Sequence, residues 1–417
     1  MIRNHIVYSD FSNYQFTLAK AEGNYLWDTD GRKLLDFTSG WNVTNLGWNH
    51  PEVNEAVAVQ AKKNVYAPMW SADRIQEEYA TELVSSLPKG LDAVCRATGG
   101  TEANEEALKI ARAVTGRKTI VGFRDTYHGQ SFGSIALGTR PEWATDIAPL
   151  VPDIMQIPYP SMYRETRPER EVLAEFLTKL EDVLRKKTIA GLFTEAGIIT
   201  GWGTTDIAPK GYLTAVRKLT EQYGTMLILD EVGTGFSRCG TLFGMELEGV
   251  TPDIVTFAKG ISNGAAPIGA CITRSDLLTP VIGKSKLVST FGWTPSSCAA
   301  GLATLRIHKR DRVWERAATN GSYLLPMLQK QLRKSAHVGD IYGKGLEIAV
   351  RFVTPDEGKI DDSFAFKVRD AAYALGLHLV WGGDGNIQVM PPLTMEKKLL
   401  DEGVSLFAHA VAKAETA

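Results

Sequence analysis

The feature that most constrains this chain is the stretch MLILDEVGTGFSRCG, Met226 to Gly240. Met226 to Leu229 read as a short buried strand that stops at two carboxylates, Asp230 and Glu231, and gives way to glycines. Open α/β sheets present their chemistry in this way, in the crevice beyond the carboxyl ends of the strands. A second strand of the same kind, in DIVTFAKGISNG, ends on Lys259. A functional reading has to explain an acid and a lysine, each at the end of an apolar strand.

The surrounding pattern predicts the fold class. Asn24–Asp28 and Lys33–Phe37 flank a turn containing Asp30-Gly31, which predicts a β-hairpin. A helix is expected from Pro51 to Lys63, another after Gly99-Gly100-Thr101, and another near Glu169–Lys187 that leads into a strand ending at Glu195. The long segment from 139 to 170 is rich in Pro, Tyr and Arg and reads as a functional loop. Helices alternating with strands from 100 to 275 predict an α/β fold with a mostly parallel sheet flanked by helices. Beyond residue 310 the expected order is helix (Val313 to Ser335), strand (LEIAVRF), helix (Phe364 to Ala374), strand (LHLVWG) and final helix, a smaller α/β lobe. The expected domains are therefore a large one over 51–309 and a small one over 310–417, with residues 1–50 joining the small domain. A chain of 417 residues suits such a division.

Gly99-Gly100-Thr101 opens a helix with Glu102, Glu105 and Glu106 early and Lys109 and Arg112 late, an order that complements the helix dipole. Two readings fit it: free backbone N–H groups that cradle a phosphate, or a plain helix start. The stretch is neither GxGxxG nor a Walker loop, so neither a dinucleotide nor a nucleoside triphosphate is indicated. Lys259 is followed by Gly260 and Gly264, and the apolar strand behind it would desolvate its ammonium and favour the nucleophilic amine. A phosphate cradle, an acid and a nucleophilic lysine together suit pyridoxal phosphate: a lysine for the Schiff base, a carboxylate for the pyridinium nitrogen and an anion site.

The bulk properties exclude other classes. A net charge of −2 gives no electrostatic case for nucleic acid or an anionic membrane. Cys95, Cys239, Cys271 and Cys298 are scattered, with no CxxC spacing, and read as free thiols of a reducing compartment. The polar start MIRNHIVYSD and the lack of a long apolar run predict a cytoplasmic protein without a membrane span.

TGGTEANEEALKIAR, YHG, LDEVGTGFSRCG with PDIVTFAKG, and STFG make the chain similar to the class III, omega-type aminotransferases of fold type I, which depend on pyridoxal phosphate. The resemblance runs from GNYLWDTDGRKLLDF to MPPLT. It implies that Lys259 carries the cofactor and shuttles the proton, and that Asp230 pairs with the pyridinium nitrogen. It further implies that Val232 and Tyr127 cover the two faces of the ring and that Gly100 and Thr101 hold the phosphate. Thr290 resembles the threonine that reaches the phosphate from the neighbouring subunit, which implies a homodimer. Glu195 sits where the family has a glutamate near the substrate. His128 and Arg238 match motif positions with a structural role, and Glu231 is read as structural too.

Two departures bear on substrate. Glu-Pro of the family is Glu195-Ala196 here. Many members carry a carboxylate-binding arginine three residues before the Pro-Pro pair, and this chain has Gln388; the mobile arginine of amine:pyruvate types falls on Trp381. A glutamine cannot form the charged bidentate pair. The expectation is an omega-transaminase acting on amines, with Trp41, Trp70 and Trp381 as an aromatic pocket, and with Arg74, Arg140 and Arg164 as candidates for any carboxylate. The alternatives are a 4-aminobutyrate or acetylornithine type aminotransferase, then a dialkylglycine decarboxylase or semialdehyde aminomutase. A nicotinamide dehydrogenase lacks its GxGxxG here, and a non-catalytic cofactor-binding regulator would be expected to have lost Lys259 or Asp230.

Overall fold

The computed structural model describes residues 2–8, 16–201 and 205–416. Near the N-terminus, β1 (Leu18–Glu22), β2 (Tyr25–Asp28) and β3 (Lys33–Asp36) form an antiparallel meander. The turn between β2 and β3 is fastened by Asp28, whose Oδ1 accepts from the backbone N–H groups of Asp30 (3.0 Å) and Arg32 (2.8 Å). The Asp-Gly signal was therefore a sound guide.

The central unit contains β4 (Ala93–Ala97), α1 (Gly100–Thr115), β5 (Thr119–Phe123), β6 (Ile154–Ile157), α2 (Glu169–Leu184), β7 (Ile189–Glu195), α3 (Tyr212–Tyr223), β8 (Met226–Asp230), β9 (Ile254–Phe257) and β10 (Gly269–Thr273). Its seven strands lie in the order β4-β10-β9-β8-β7-β5-β6, and β10 alone runs antiparallel to its neighbours. Strand β8 is buried along its whole length because both faces are covered: Leu227 and Leu229 enter one apolar core, Met226 and Ile228 the other. A parallel strand in that position reads as a continuous apolar run, which is why the sequence marked it. The segment 139–170 differs from its expectation. It contains the edge strand β6, four residues held parallel to β5, too short to stand out between Asp153 and Pro158.

The last third adds α4 (Pro295–Arg310), α5 (Val313–Leu332), β11 (Val338–Lys344), β12 (Glu347–Phe352), α6 (Asp362–Ala374), β13 (Leu377–His378), β14 (Val380–Gly383), β15 (Asn386–Val389) and α7 (Lys397–Glu415). The order β11-β12-β15-β14 makes a second, antiparallel sheet. LHLVWG, expected as one strand, is split. Leu377–His378 pairs with β3 in the N-terminal sheet, whereas Val380–Gly383 pairs with β15. One extended segment thereby stitches the N-terminal meander to the small sheet, with Leu379 buried at the crossing. Ile348, Val350, Phe352, Ile387 and Val389 enter one core with α5, α6 and α7, so that face of the small sheet is apolar. Glu347, Arg351 and Gln388 are also buried.

Candidate active site

Strands β4, β5, β7, β8 and β9 all run the same way, so their carboxyl ends share one edge of the sheet. Each end delivers part of one cavity. After β4 come Gly100 and Thr101; after β5, Tyr127, His128 and Gly129; β7 ends on Glu195, β8 on Asp230, and Lys259 follows β9. The cavity has an empty volume of about 310 Å³, part of it open to solvent, and is lined by those residues with Asn104, Thr200, Gly201, Val232 and Gly233. Eight of the residues singled out in the sequence are brought together here: Gly100, Thr101, Tyr127, His128, Glu195, Asp230, Val232 and Lys259.

Asp230 is held by three donors. The Nδ2 of Asn104 (2.9 Å) and the Nδ1 of His128 (2.7 Å) meet its Oδ2, and the backbone N–H of Val232 (2.8 Å) meets its Oδ1. Asn104 is itself fixed, donating to the His128 carbonyl (2.7 Å) and accepting from the Thr256 hydroxyl (2.6 Å). The imidazole of His128 stands edge-on to Phe193, ring centroids 4.7 Å apart. The acid thus has one orientation. Glu231, next in the chain, points elsewhere and accepts from the Thr234 hydroxyl (2.5 Å) and the N–H groups of Gly244 (2.8 Å) and Met245 (2.6 Å). It fastens the loop after β8, while burial pushes its carboxyl up to about 7.

Lys259 sits in the left-handed region at φ 49°. Burial lowers its ammonium below the ordinary lysine value, opposed by the charges of Glu195 and Asp230. Glu195 lies beside Asp230 across the β7/β8 pair. Burial, then the neighbouring Asp230 charge, raises the Glu195 carboxyl well above its usual range, even though the N–H of Thr200 (3.0 Å) and its hydroxyl (2.6 Å) donate to it. Two carboxyls and one amine share a buried space, the kind of setting in which affinities for protons are shifted at functional sites.

The arrangement fits the cofactor expected from the sequence. α1 begins at Gly99 with no side-chain cap, so its first-turn N–H groups are left to an anion. A Cβ at Gly100 would stand 3.2 Å from both methyls of Val232, and one at Gly129 (φ 135°) would meet Ser134 Oγ at 2.5 Å and Thr101 Oγ1 at 2.7 Å. The backbone closes around a space flanked by an acid, an amine and a helix N-terminus. These are the three groups pyridoxal phosphate needs.

Other expected residues lie outside this cavity. Thr290 is exposed, between two exposed apolar side chains, Val288 and Phe291. Trp70 is 85% exposed. The indole of Trp381 donates to Asp362 (2.8 Å) and packs on Phe366. Trp41 is half-buried at φ 68°, in the turn after β3. The three tryptophans do not line the cavity as one aromatic wall. Arg74 is exposed; Arg140 is engaged with Asp125 and Asp384 and lies over Trp143; Arg164 donates to the Gly358 carbonyl. None of these arginines lines the cavity. Arg238 is buried and ties the loop after β8 to the small sheet, donating to the carbonyls of Leu346 (3.0 Å) and Pro391 (2.9 Å) and to Asn45 (2.7 Å). Burial brings its guanidinium down to about 10.

Gln388 is wholly buried on β15 and donates to Glu347 Oε1 at 2.9 Å. Glu347, Asn104, Thr200 and Thr256 were not found in the sequence. Asn104 left one signal, a polar residue on the apolar stripe of α1 three and four positions before Ala107 and Leu108.

Comparison with known proteins agrees with this geometry. Residues 7–411 match the family described as aminotransferase class-III. The acetylornithine aminotransferase of Methanothermobacter thermautotrophicus is 30% identical over 411 residues, covering 99% of this chain and 97% of its own. The protein named alanine–glyoxylate aminotransferase 2 homolog 2, mitochondrial, of Arabidopsis thaliana is 32% identical, covering 97% of this chain and 85% of its own. The crystal structure of a thermostable (S)-enantioselective omega-transaminase from Thermomicrobium roseum superposes with a TM-score of 0.87 at 32% identity, covering 97% of this chain and 93% of that one.

Proposed function

The chain belongs to the class III aminotransferases, which depend on pyridoxal phosphate, and on that premise we propose that it is an omega-type transaminase. It moves an amino group from an amine or omega-amino acid to a keto acid or aldehyde by a ping-pong cycle, working as a homodimer in the cytoplasm. The observation that carries this reading is Gln388: a buried, neutral amide bonded to Glu347 stands where the family resemblance calls for a carboxylate-binding arginine. A glutamine amide offers an α-carboxylate no charged pair.

Bound pyridoxal phosphate supplies an aldehyde that condenses with amines and a ring that draws electron density from the substrate carbon. In this assignment Lys259 would hold the cofactor through its aldehyde. Burial lowers its ammonium below the ordinary lysine value, so more of the Nζ is present as the free amine, which would take the proton from the substrate carbon and return it at the cofactor carbon on the other side of the nitrogen. Asp230, held by Asn104 and His128, keeps a proton on the ring nitrogen. The backbone of Gly100 and Thr101 holds the phosphate, and Val232 and Tyr127 flank the ring. Support for the dimer comes from an exposed apolar surface where Tyr66 and Phe291 meet at 5.9 Å, with Val65, Met69, Trp70 and Val288 exposed beside them in the chain. Thr290 lies within that stretch and would reach the neighbouring site.

The relatives' names favour a second reading, an acetylornithine type aminotransferase. The two separate in a half-reaction screen of the holoenzyme. With 1-phenylethylamine as the partner, the proposal expects the alanine/pyruvate pair to outpace the glutamate/α-ketoglutarate pair, and the reverse order would reject it. Carbon dioxide release or intramolecular amino transfer would indicate the decarboxylase or the aminomutase instead.

A further inference from the structure

Glu195 ends β7 and is 2% exposed, yet it lines the cavity it shares with Lys259. Its carboxyl is served by a single residue. The chain turns at Gly197 (φ 76°) and brings Thr200 back to the strand end. There the Thr200 N–H (3.0 Å) and hydroxyl (2.6 Å) both donate to Oε2, and the N–H also approaches Oε1 at 3.2 Å. Among the described residues the carboxyl has no other hydrogen bond and no ion pair.

Thr200 is itself locked in place. It is buried, and a Cβ at Gly233 would stand 1.8 Å from its Oγ1, so the hydroxyl fills the space that a side chain at 233 would need. Its carbonyl is approached by Gln388 Nε2 at 3.4 Å.

A donor to a carboxylate favours the charged form, whereas burial and a neighbouring anion favour the neutral one. Burial and the Asp230 charge raise the Glu195 carboxyl, and the Thr200 bonds oppose them. Burial lowers the Lys259 ammonium, and the foremost charge opposing that is Glu195, ahead of Asp230 on β8 and Glu347 on β12, while Arg238 in the loop after β8 acts with burial. Glu195 faces Asp230 and Lys259, with the phenol of Tyr159 on its other side. Asp230 is already fixed by its three donors. The proton whose position is open therefore lies between Glu195 and the lysine nitrogen.

We infer that Thr200 is a positioning residue: by clamping Glu195 as a carboxylate, it leaves the proton on the Lys259 nitrogen when the cofactor is bound. A protonated nitrogen draws electrons from the carbon that an amine must attack, so the clamp readies the site for the donor. The inference rests on the transaminase reading for its use, but its test needs only the bound cofactor.

That test is a pH titration of the resting holoenzyme without amine, read from the cofactor absorbance that changes when the Lys259 nitrogen loses its proton. Thr200→Val removes a bond that favours the carboxylate, so Glu195 takes the proton more readily and the lysine nitrogen gives it up at lower pH. The midpoint should fall by about one pH unit, a roughly tenfold change in proton affinity and the scale of one hydrogen bond to a charged group. Thr200→Ser should keep the wild-type midpoint. Glu195→Gln should lower the midpoint too, and adding Thr200→Val to it should move it no further. An unchanged midpoint in Thr200→Val, or an equal fall when Glu195→Gln is already present, overturns the inference. If Thr200→Val does not fold, Glu195→Gln decides, and an unchanged midpoint there overturns the inference as well. The expected shifts in an enzyme that converts no amine would uphold the clamp and reject the transaminase. A chain that binds pyridoxal phosphate without joining it to Lys259 would reject both.

Discussion

Removing the Asn104 side chain as Asn104→Ala tests how the acid at the end of β8 is held. The change deletes a hydrogen bond to the Asp230 carboxylate, one to the His128 carbonyl and one from the Thr256 hydroxyl. A bond to a charged group contributes about 1.5–3 kcal/mol and a neutral one about 1 kcal/mol, with a further cost when the partner is buried and left unsatisfied. Together these give a loss of roughly 4 kcal/mol. Thr256→Val removes the last bond alone and should cost about 1–2 kcal/mol. Once Asn104 is gone the hydroxyl has lost its acceptor, so the double variant should fall short of the sum by about 1 kcal/mol. Urea unfolding of the holoenzymes, followed by circular dichroism, measures all three. Asn104→Ala should also release cofactor more readily on dilution, because Asp230 Oδ2 keeps a single side-chain donor, His128. A loss under 1 kcal/mol with unchanged cofactor retention would refute the idea that Asn104 orients Asp230.

Two further perturbations have definite signs. His308 is buried against Ser237, and burial takes its imidazole down to about 3; since the unfolded chain then binds the extra proton, its contribution is complete above about pH 6.5 and fades as pH falls towards 3, at about 1.4 kcal/mol per unit. His308→Asn should flatten that acid limb in a melting-temperature series, and an unchanged slope would contradict the assignment. Glu231→Gln sets an NH2 group against one of the donors now reaching the carboxylate, and should cost about 2–4 kcal/mol in urea unfolding; a neutral effect would show that the loop after β8 does not depend on it.

Much of the central sheet was legible because β7, β8 and β9 are buried on both faces and therefore apolar throughout. The strand ends were legible for the complementary reason: an acid or lysine after such a run has few structural excuses. The small sheet was harder to read. β11, VGDIYGK, mixes glycines with polar residues, and β15 is four residues long. Glu347, Ala349 and Arg351 alternate with Ile348, Val350 and Phe352, a pattern that in sequence marks a solvated face. Here that face is buried against Asn42, Thr205 and Asp206, and no local periodicity separates a face covered by another segment from one covered by water. The aromatic wall failed to assemble for a related reason: Trp70 and Trp381 are far apart in sequence, and only the fold decides that one is exposed and the other bonded to Asp362.

The central claim, that Lys259 is the group that takes and returns the proton, is tested most directly by a single-turnover half-reaction of Lys259→Ala loaded with pyridoxal phosphate. With a reactive amine donor, the wild-type holoenzyme should convert its cofactor fully to the amino form and pass the amino group to added keto acid. The variant should retain cofactor through Asp230 and the α1 N-terminus yet transfer several orders of magnitude more slowly. Transfer by the variant at the wild-type rate would contradict the account.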